Sequence, residues 1–165
     1  MIEMWTVATG TLIAGMVDDL RSRKIHNVLV FSLLGAVAAA SLYFRGFEGS
    51  LPGIAALLLA LIITIPLFAF RILGGGDVKL FAVFALALDP TSMFWTLVYS
   101  LFWGALFGVT RTALQRQLLA LVRTTYKVAM RQRVQAQEIH KIPYTFALLL
   151  GWFTQLTFLR VGGWL

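Results

Sequence analysis

The stretch from Leu51 to Phe70 runs for 20 residues without a charged side chain. At about 1.5 Å per residue, a helix of that length crosses the roughly 30 Å hydrocarbon core of a bilayer. Comparable apolar segments lie at about 4–17, 28–44, 78–88, 93–110 and 143–159. Apolar residues make up 59% of the 165-residue chain, and a water-soluble domain of this size has too little interior to bury them. The sequence therefore predicts an all-helical, polytopic membrane protein with about six transmembrane helices.

The number six depends on dividing the apolar stretch from Leu80 to Thr110, which is too long for one ordinary span. Its polar cluster is Asp89-Pro90-Thr91-Ser92, and these residue types are typical of turns. We therefore predict two helices, one on each side of this turn.

The distribution of basic residues predicts the orientation of the chain. Twelve of the 14 Lys and Arg residues lie at 18–27, 71–79 and 111–142, and the other two are Arg45 and Arg160. Cytoplasmic loops of membrane proteins carry an excess of basic residues, so we expect these three segments in the cytoplasm and both termini outside. This rule also accounts for the net charge of +7 without a nucleic-acid partner.

Residues 1–165 read as a single membrane-embedded domain with a basic cytoplasmic connector at about 111–142. The connector is predicted to be a partly amphipathic helix that lies along anionic lipid headgroups. A binding surface for a protein partner is the alternative. The chain contains no cysteine, which excludes disulfides, cysteine-ligated zinc and thiol catalysis.

Three of the seven acidic residues stand at the predicted cytoplasmic ends of apolar helices: Asp18, Asp19 and Asp77. A carboxylate near membrane depth is costly and usually faces a bundle interior or a wet cavity. Asp77 follows Gly74-Gly75-Gly76, and such glycines end a helix and allow another backbone to approach. We expect Asp77 on a turn inside the bundle, with a helix cap at the membrane interface as the alternative.

Two carboxylates that approach within hydrogen-bonding distance cannot both ionise easily, so one keeps its proton. Such a pair supplies a general base and a general acid for attack on a peptide carbonyl, without a metal or another cofactor. The sequence therefore suggests hydrolytic chemistry shared between the end of the first helix and the glycine-rich turn.

Two motifs carry a family resemblance: Asp19-Leu-Arg-Ser-Arg-Lys-Ile-His-Asn27 and Gly74-Gly-Gly-Asp-Val-Lys-Leu80. Together with Lys141-Ile-Pro-Tyr-Thr-Phe-Ala-Leu-Leu-Leu-Gly151, they resemble the type IV prepilin peptidase family, membrane aspartic proteases with a Gly-x-Gly-Asp motif. The resemblance implies cleavage of basic leader peptides from prepilin-like precursors at the cytoplasmic membrane of a bacterium or archaeon. It also implies an active site that faces the cytoplasm.

Carried over residue by residue, the resemblance makes Asp19 and Asp77 the catalytic pair. Asp19 is preferred to the adjacent Asp18 because the family's aspartate directly precedes Leu-Arg. Gly74 and Gly76 match the motif glycines. Asn27 matches the Asn that follows the first loop, and Lys79 is expected to support the motif, bind substrate or contact lipid headgroups.

The sequence departs from the family pattern at two points, and each changes what we expect of this chain. His26 stands where family members commonly have Pro in Ile-Pro-Asn, and we expect it to be a surface residue. Larger members carry an insertion with cysteine pairs that is associated with zinc and with methylation of the new N-terminus. This chain resembles the short peptidase-only form, so we predict no methyltransferase activity.

Two functions of other classes also suit carboxylates near a membrane. One is a small proton-coupled transporter, and the other is a non-catalytic membrane subunit of a secretion or pilus assembly machine. The sequence makes no prediction of the oligomeric state.

Overall fold

The computed structural model describes residues 2–22, 24–114 and 144–161. These ranges contain five helices and no strand, which confirms the all-helical prediction for the described chain. The helices are α1 (Ile2–Ser22), α2 (Asn27–Ala69), α3 (Gly75–Leu86), α4 (Pro90–Leu114) and α5 (Tyr144–Val161). Most of the predicted connector at 111–142 lies outside the described residues.

The 43-residue helix α2 reverses its direction at Gly46, whose φ of 70° and ψ of −177° are not helical. Only glycine adopts this backbone conformation without strain. Ser41 Oγ donates to Ser50 Oγ at 3.0 Å, although nine residues of straight helix would separate the two by about 13 Å. The two halves of α2 therefore form a hairpin, and the reversal needs no loop between the apolar segments predicted at 28–44 and 51–70.

The short helix α3 is the most buried element of the bundle. Its residues Val78 and Leu80 through Leu86 are all buried, and its most extensive contact is with α2. Gly53 of α2 approaches the carbonyl of Leu86 so closely that a Cβ at position 53 would overlap the oxygen. At the same end, Arg45 Nη2 donates to the carbonyl of Ala87 at 2.9 Å.

The predicted turn between the fourth and fifth apolar segments is confirmed. Helix α3 ends at Leu86 and α4 begins at Pro90. The Asp89 carboxylate accepts a hydrogen bond from the Ser92 backbone N–H at 3.0 Å, which caps the first turn of α4. Pro90 suits the first helical position because no intrahelical hydrogen bond needs its missing N–H.

Helices α4 and α5 form a second closely packed pair. Gly151 of α5 lies against the Ser100 backbone, where an added Cβ would come within 2.6 Å of the Ser100 nitrogen. Trp103 Nε1 donates to Thr154 Oγ1 at 3.0 Å. Helix α5 also contacts α1 through the bond from Trp152 Nε1 to Thr9 Oγ1 at 2.9 Å, so α5 connects the two halves of the bundle.

In the part of the chain that the structure describes, α2 and the Pro90–Thr110 portion of α4 are long and apolar enough to cross a membrane. Only 22% of the most apolar stretch of each is buried, whereas the core helix of a soluble protein is mostly covered. Large side chains such as Phe31, Ile62 and Phe102 point outwards. Such extensive apolar exposure is consistent with a membrane protein; six crossings and their orientation stay predictions.

The contact between Gly53 and α3 can be tested by Gly53→Ala. Because a backbone carbonyl cannot move aside easily, we expect a loss of about 1–3 kcal/mol in the free energy of unfolding, as for other overpacked sites. The matched control is Gly35→Ala in the same helix, where a Cβ meets nothing within 4 Å. Thermal unfolding in detergent should show the control unchanged or stabilised by up to about 1 kcal/mol. Equal behaviour of the two variants would contradict the packing.

Candidate active site

The residues of the two sequence motifs meet at one end of the bundle. Lys79 Nζ of α3 donates to Asn27 Oδ1 at the start of α2, at 2.8 Å. A Cβ at Gly76 would lie 3.0 Å from Ile25 Cβ, so this glycine allows α3 to approach the loop before α2. The two motifs come together because the hairpin of α2 places the end of α2 and the start of α3 next to Asn27.

Asp77 lies in the first turn of α3. Its Oδ2 accepts a hydrogen bond from the Gly74 backbone N–H at 3.3 Å. The positive end of the helix dipole further stabilises a negative charge at this position. A Cβ at Gly74 would come within 2.7 Å of Asp77 Oδ2. Any residue larger than glycine at this position would therefore crowd the carboxylate. Asp77 therefore caps α3, as in the alternative that we considered, and the prediction that it lies on a turn is wrong because α3 already begins at Gly75.

Asp19 lies in the last turn of α1 and contacts the first turn of α5. Its Oδ2 accepts a hydrogen bond from Thr145 Oγ1 at 2.9 Å, and Thr145 is only 1% exposed. The sequence analysis missed this residue. Its one signal was a hydroxyl next to the predicted start of the last helix, and nothing there indicated a partner 126 positions away.

The neighbouring residue Tyr144 begins α5 and connects it to α4. The Tyr144 hydroxyl forms a hydrogen bond with Ser100 Oγ at 2.7 Å and interacts electrostatically with the Asp77 carboxylate. Of these two residues of α5, Thr145 is hydrogen-bonded to Asp19 and Tyr144 to Ser100. Both aspartates lie at the same end of the bundle, although they belong to helices far apart in sequence.

Asp18 has a different environment from its neighbour. Its Oδ2 accepts the His26 backbone N–H at 2.9 Å, and its Oδ1 lies 3.0 Å from His26 Nδ1. These hydrogen bonds, that of the backbone first, hold the pKa of Asp18 below its ordinary value. Successive residues of a helix point about 100° apart. Asp18 and Asp19 therefore have different partners, and the preference for Asp19 as the catalytic residue stays a prediction.

The His26–Asp18 contact was not expected from the sequence. The imidazole is 59% exposed, as a surface histidine should be, but it is also bonded to the end of α1. His26 precedes α2 in an extended conformation, with φ −74° and ψ 138°. It therefore joins the end of α1 to the start of α2, next to Asp19.

A comparison with known families identifies the family of the chain. The model of the type IV leader peptidase family matches residues 6–109. The chain belongs to this family. The matched range includes both aspartate motifs but ends before α5, so it does not cover Tyr144 and Thr145. No curated protein and no solved structure matches the chain.

The Asp18–His26 contact predicts a pH-dependent contribution to stability. Because folding lowers the pKa of Asp18, the contribution is fully present above the carboxyl pKa of the unfolded chain, about 3.9. It is lost as the pH falls through the lower pKa of the folded protein. Asp18→Asn should therefore lower the Tm at pH 7, and its difference from the wild type should shrink below about pH 4.

The matched control for this measurement is Glu48→Gln, a change of the same kind near the α2 reversal, away from the site. We expect it to leave the pH dependence of the Tm as in the wild type. If Asp18→Asn differed from the wild type by the same amount at every pH, the Asp18–His26 contact would not contribute through the Asp18 charge.

Proposed function

We propose that the protein is a membrane aspartic endopeptidase that removes the basic leader peptide from prepilin-like precursors on the cytoplasmic side. The observation that carries this proposal is the position of both motif aspartates at one end of the bundle, where Asp19 accepts a hydrogen bond from Thr145 of α5 and Asp77 lies in the first turn of α3, next to the start of α2. Membership of the leader peptidase family supports peptide hydrolysis as the reaction.

In the proposed mechanism, one carboxylate is ionised and the other is protonated. The oxygen of a water molecule forms a bond to the scissile carbonyl carbon, and its proton moves to the ionised carboxylate. The protonated carboxyl gives its proton to the carbonyl oxygen. The C–N bond then breaks as the amine nitrogen receives a proton from the first carboxyl, and the diol returns its proton to the second. The pair regains its starting state without a metal or another cofactor.

The residues around the aspartates have supporting roles in this proposal. Gly74 lets the Asp77 carboxylate approach the backbone, and Gly76 lets α3 approach Ile25, so both glycines support the position of Asp77. The bond from Lys79 to Asn27 joins α3 to the start of α2, so these two residues hold the motifs together. Since Lys79 and Asn27 are both exposed, they can also contact a substrate or lipid headgroups.

Charge supports the proposed placement of the site in the cytoplasm. Arg21, Lys24, Arg71 and Lys79 surround the end of the bundle that carries the aspartates, and all four are exposed. Basic residues favour the cytoplasmic side of a membrane. The α2 hairpin is compatible with two crossings whose ends both lie on that side, as part of the proposed multi-pass topology in the cytoplasmic membrane.

The two other functions have less support. A proton-coupled transporter typically places its ionisable groups near the bilayer midplane, whereas both aspartates lie at one end of the bundle. A non-catalytic assembly subunit gives no reason for carboxylates from two separate motifs to lie at the same end of the bundle. The peptidase explains both features.

The decisive test is cleavage of a purified precursor that has a basic leader and a hydrophobic helix. Asp19→Asn and Asp77→Asn should each lower the rate by at least about 100-fold, since each removes a proton-transfer group. Asp18→Asn is the matched control and should stay within about tenfold of the wild type, because loss of its bond to His26 displaces the site only indirectly. Mass spectrometry would locate the cut before the hydrophobic helix and find no added methyl group.

Full activity of Asp77→Asn would refute the proposed mechanism, as would a loss in Asp18→Asn as large as in Asp19→Asn. Circular dichroism of each variant separates loss of catalysis from loss of fold. In cells, a transporter would lose flux in Asp77→Asn while precursors still matured, and an assembly subunit would tolerate the change.

A further inference from the structure

A groove lies between α1 and α5 on the surface of the bundle. Its volume is about 390 Å³, more than about ten times the roughly 30 Å³ that one water molecule occupies in the liquid. It can therefore hold several side chains of another molecule. The lining consists of Trp5, Thr6, Thr9, Gly10 and Ile13 of α1 and Leu156 of α5.

The chemistry of this lining favours an apolar occupant. The two hydroxyls already donate within α1, Thr6 to the carbonyl of Glu3 and Thr9 to that of Trp5. Thr9 Oγ1 also accepts the indole N–H of Trp152. No charged residue of the described chain lines the groove, so a polar or charged molecule would lose its contacts with water and gain little in return.

The groove belongs to a continuous exposed face of α1. Between positions 6 and 20, the exposed residues of this helix follow one another at alternating steps of four and three positions, which is the spacing of a face that packs along a second helix. Helix pairs in membranes also favour small residues at their contact, because these let the backbones approach. The exposed residues are Thr6, Gly10, Ile13, Val17 and Leu20.

The seam between α1 and α5 leads from the groove to the candidate active site. Thr145 of α5 donates to Asp19 at one end of this seam. The groove residues Ile13 and Trp5 precede Asp19 by 6 and 14 positions, which corresponds to about 9 and 21 Å along the helix axis. A helix that lies in the groove can therefore continue along α1 to the aspartates.

We propose that the groove between α1 and α5 binds the hydrophobic helix of the precursor and thereby places the peptide bond before that helix at the aspartates. The inference rests on the proposed peptidase function and names the surface that holds the substrate within the bilayer. A cut directly before a hydrophobic helix requires this helix to lie beside the site. The substrate residues in the groove are then those about 6–14 positions after the cut.

The exposed face of α2 differs from this groove. Large side chains such as Phe31 and Ile62 point outwards there, as on a surface that is covered by lipid chains. Gly35 of α2 is as open as Gly10, since a Cβ at either position meets nothing within 4 Å. Gly35 does not line the groove, however, so it separates the effect of the groove from that of an exposed glycine.

The first test fills the groove with Gly10→Leu. We expect the KM for the precursor to rise about tenfold or more, because the added side chain overlaps the docked helix, while kcat stays unchanged. The matched control is Gly35→Leu, which should change neither constant. Gly10 lies about 13.5 Å from Asp19 along α1, and Gly35 about 12 Å from Asn27 along α2. An unchanged KM in Gly10→Leu, or a loss confined to kcat, overturns the inference.

The second test uses disulfide trapping, which suits a chain that contains no cysteine. Gly10→Cys is combined with Asp77→Asn, which should leave the precursor uncut. Under oxidising conditions we expect a disulfide to a precursor that carries one cysteine about nine positions after the cut. Gly35→Cys in the same background should form none. Circular dichroism confirms that each variant is folded.

Two results of the trapping experiment overturn the inference. One is that Gly10→Cys forms no disulfide with precursor cysteines at any position from about 6 to 14 after the cut. The other is a disulfide between two copies of Gly10→Cys that excess precursor does not prevent, because the occupant is then a second copy of the chain. A disulfide to a precursor that the wild type does not cleave supports the docking surface while the peptidase function fails.

Discussion

Gly46 reverses the direction of α2, and the positions of the motif residues depend on this reversal. A straight helix of 43 residues would separate its ends by about 63 Å. The hairpin brings them to one level, so the loop before α2 lies beside the first turn of α3, which carries Asp77. The contact between Lys79 and Asn27 is a direct result. Helix α3 packs along the hairpin, and Gly53 and Arg45 hold its far end.

The neighbouring aspartates of α1 illustrate how one helix end can serve two purposes. Adjacent side chains diverge by about 100°, so Asp18 and Asp19 reach different parts of the bundle. Asp18 is bonded to His26 and joins α1 to α2. Asp19 is turned towards Thr145 on α5. Asp18 thus makes a structural contact and Asp19 is the proposed catalytic group, and the two neighbouring side chains have different partners.

Helix α5 lies outside the range that the family model matches, but it packs against helices inside that range. The match ends at residue 109, yet Thr145 of α5 donates a hydrogen bond to Asp19. The pairing of α5 with α4, through Gly151 against Ser100, places its first turn at the aspartates. The pairing of these two helices therefore determines which side chain of α5 lies next to Asp19.

The sequence by itself determined the all-helical class, the turn at Asp89–Ser92 and the two motifs that contain Asp19, Asn27, Gly74, Gly76 and Asp77. These features follow from apolar run length, turn residues and local motif patterns, which need no knowledge of neighbours. Only the tertiary structure decided the loop-free reversal at Gly46, the partners of Asp18 and Asp19, and the place of Thr145. Each of these depends on which helices pack together. A bond between residues 126 positions apart has no local sequence signal, because hydroxyls like that of Thr145 occur throughout the apolar helices and usually bond within their own turn.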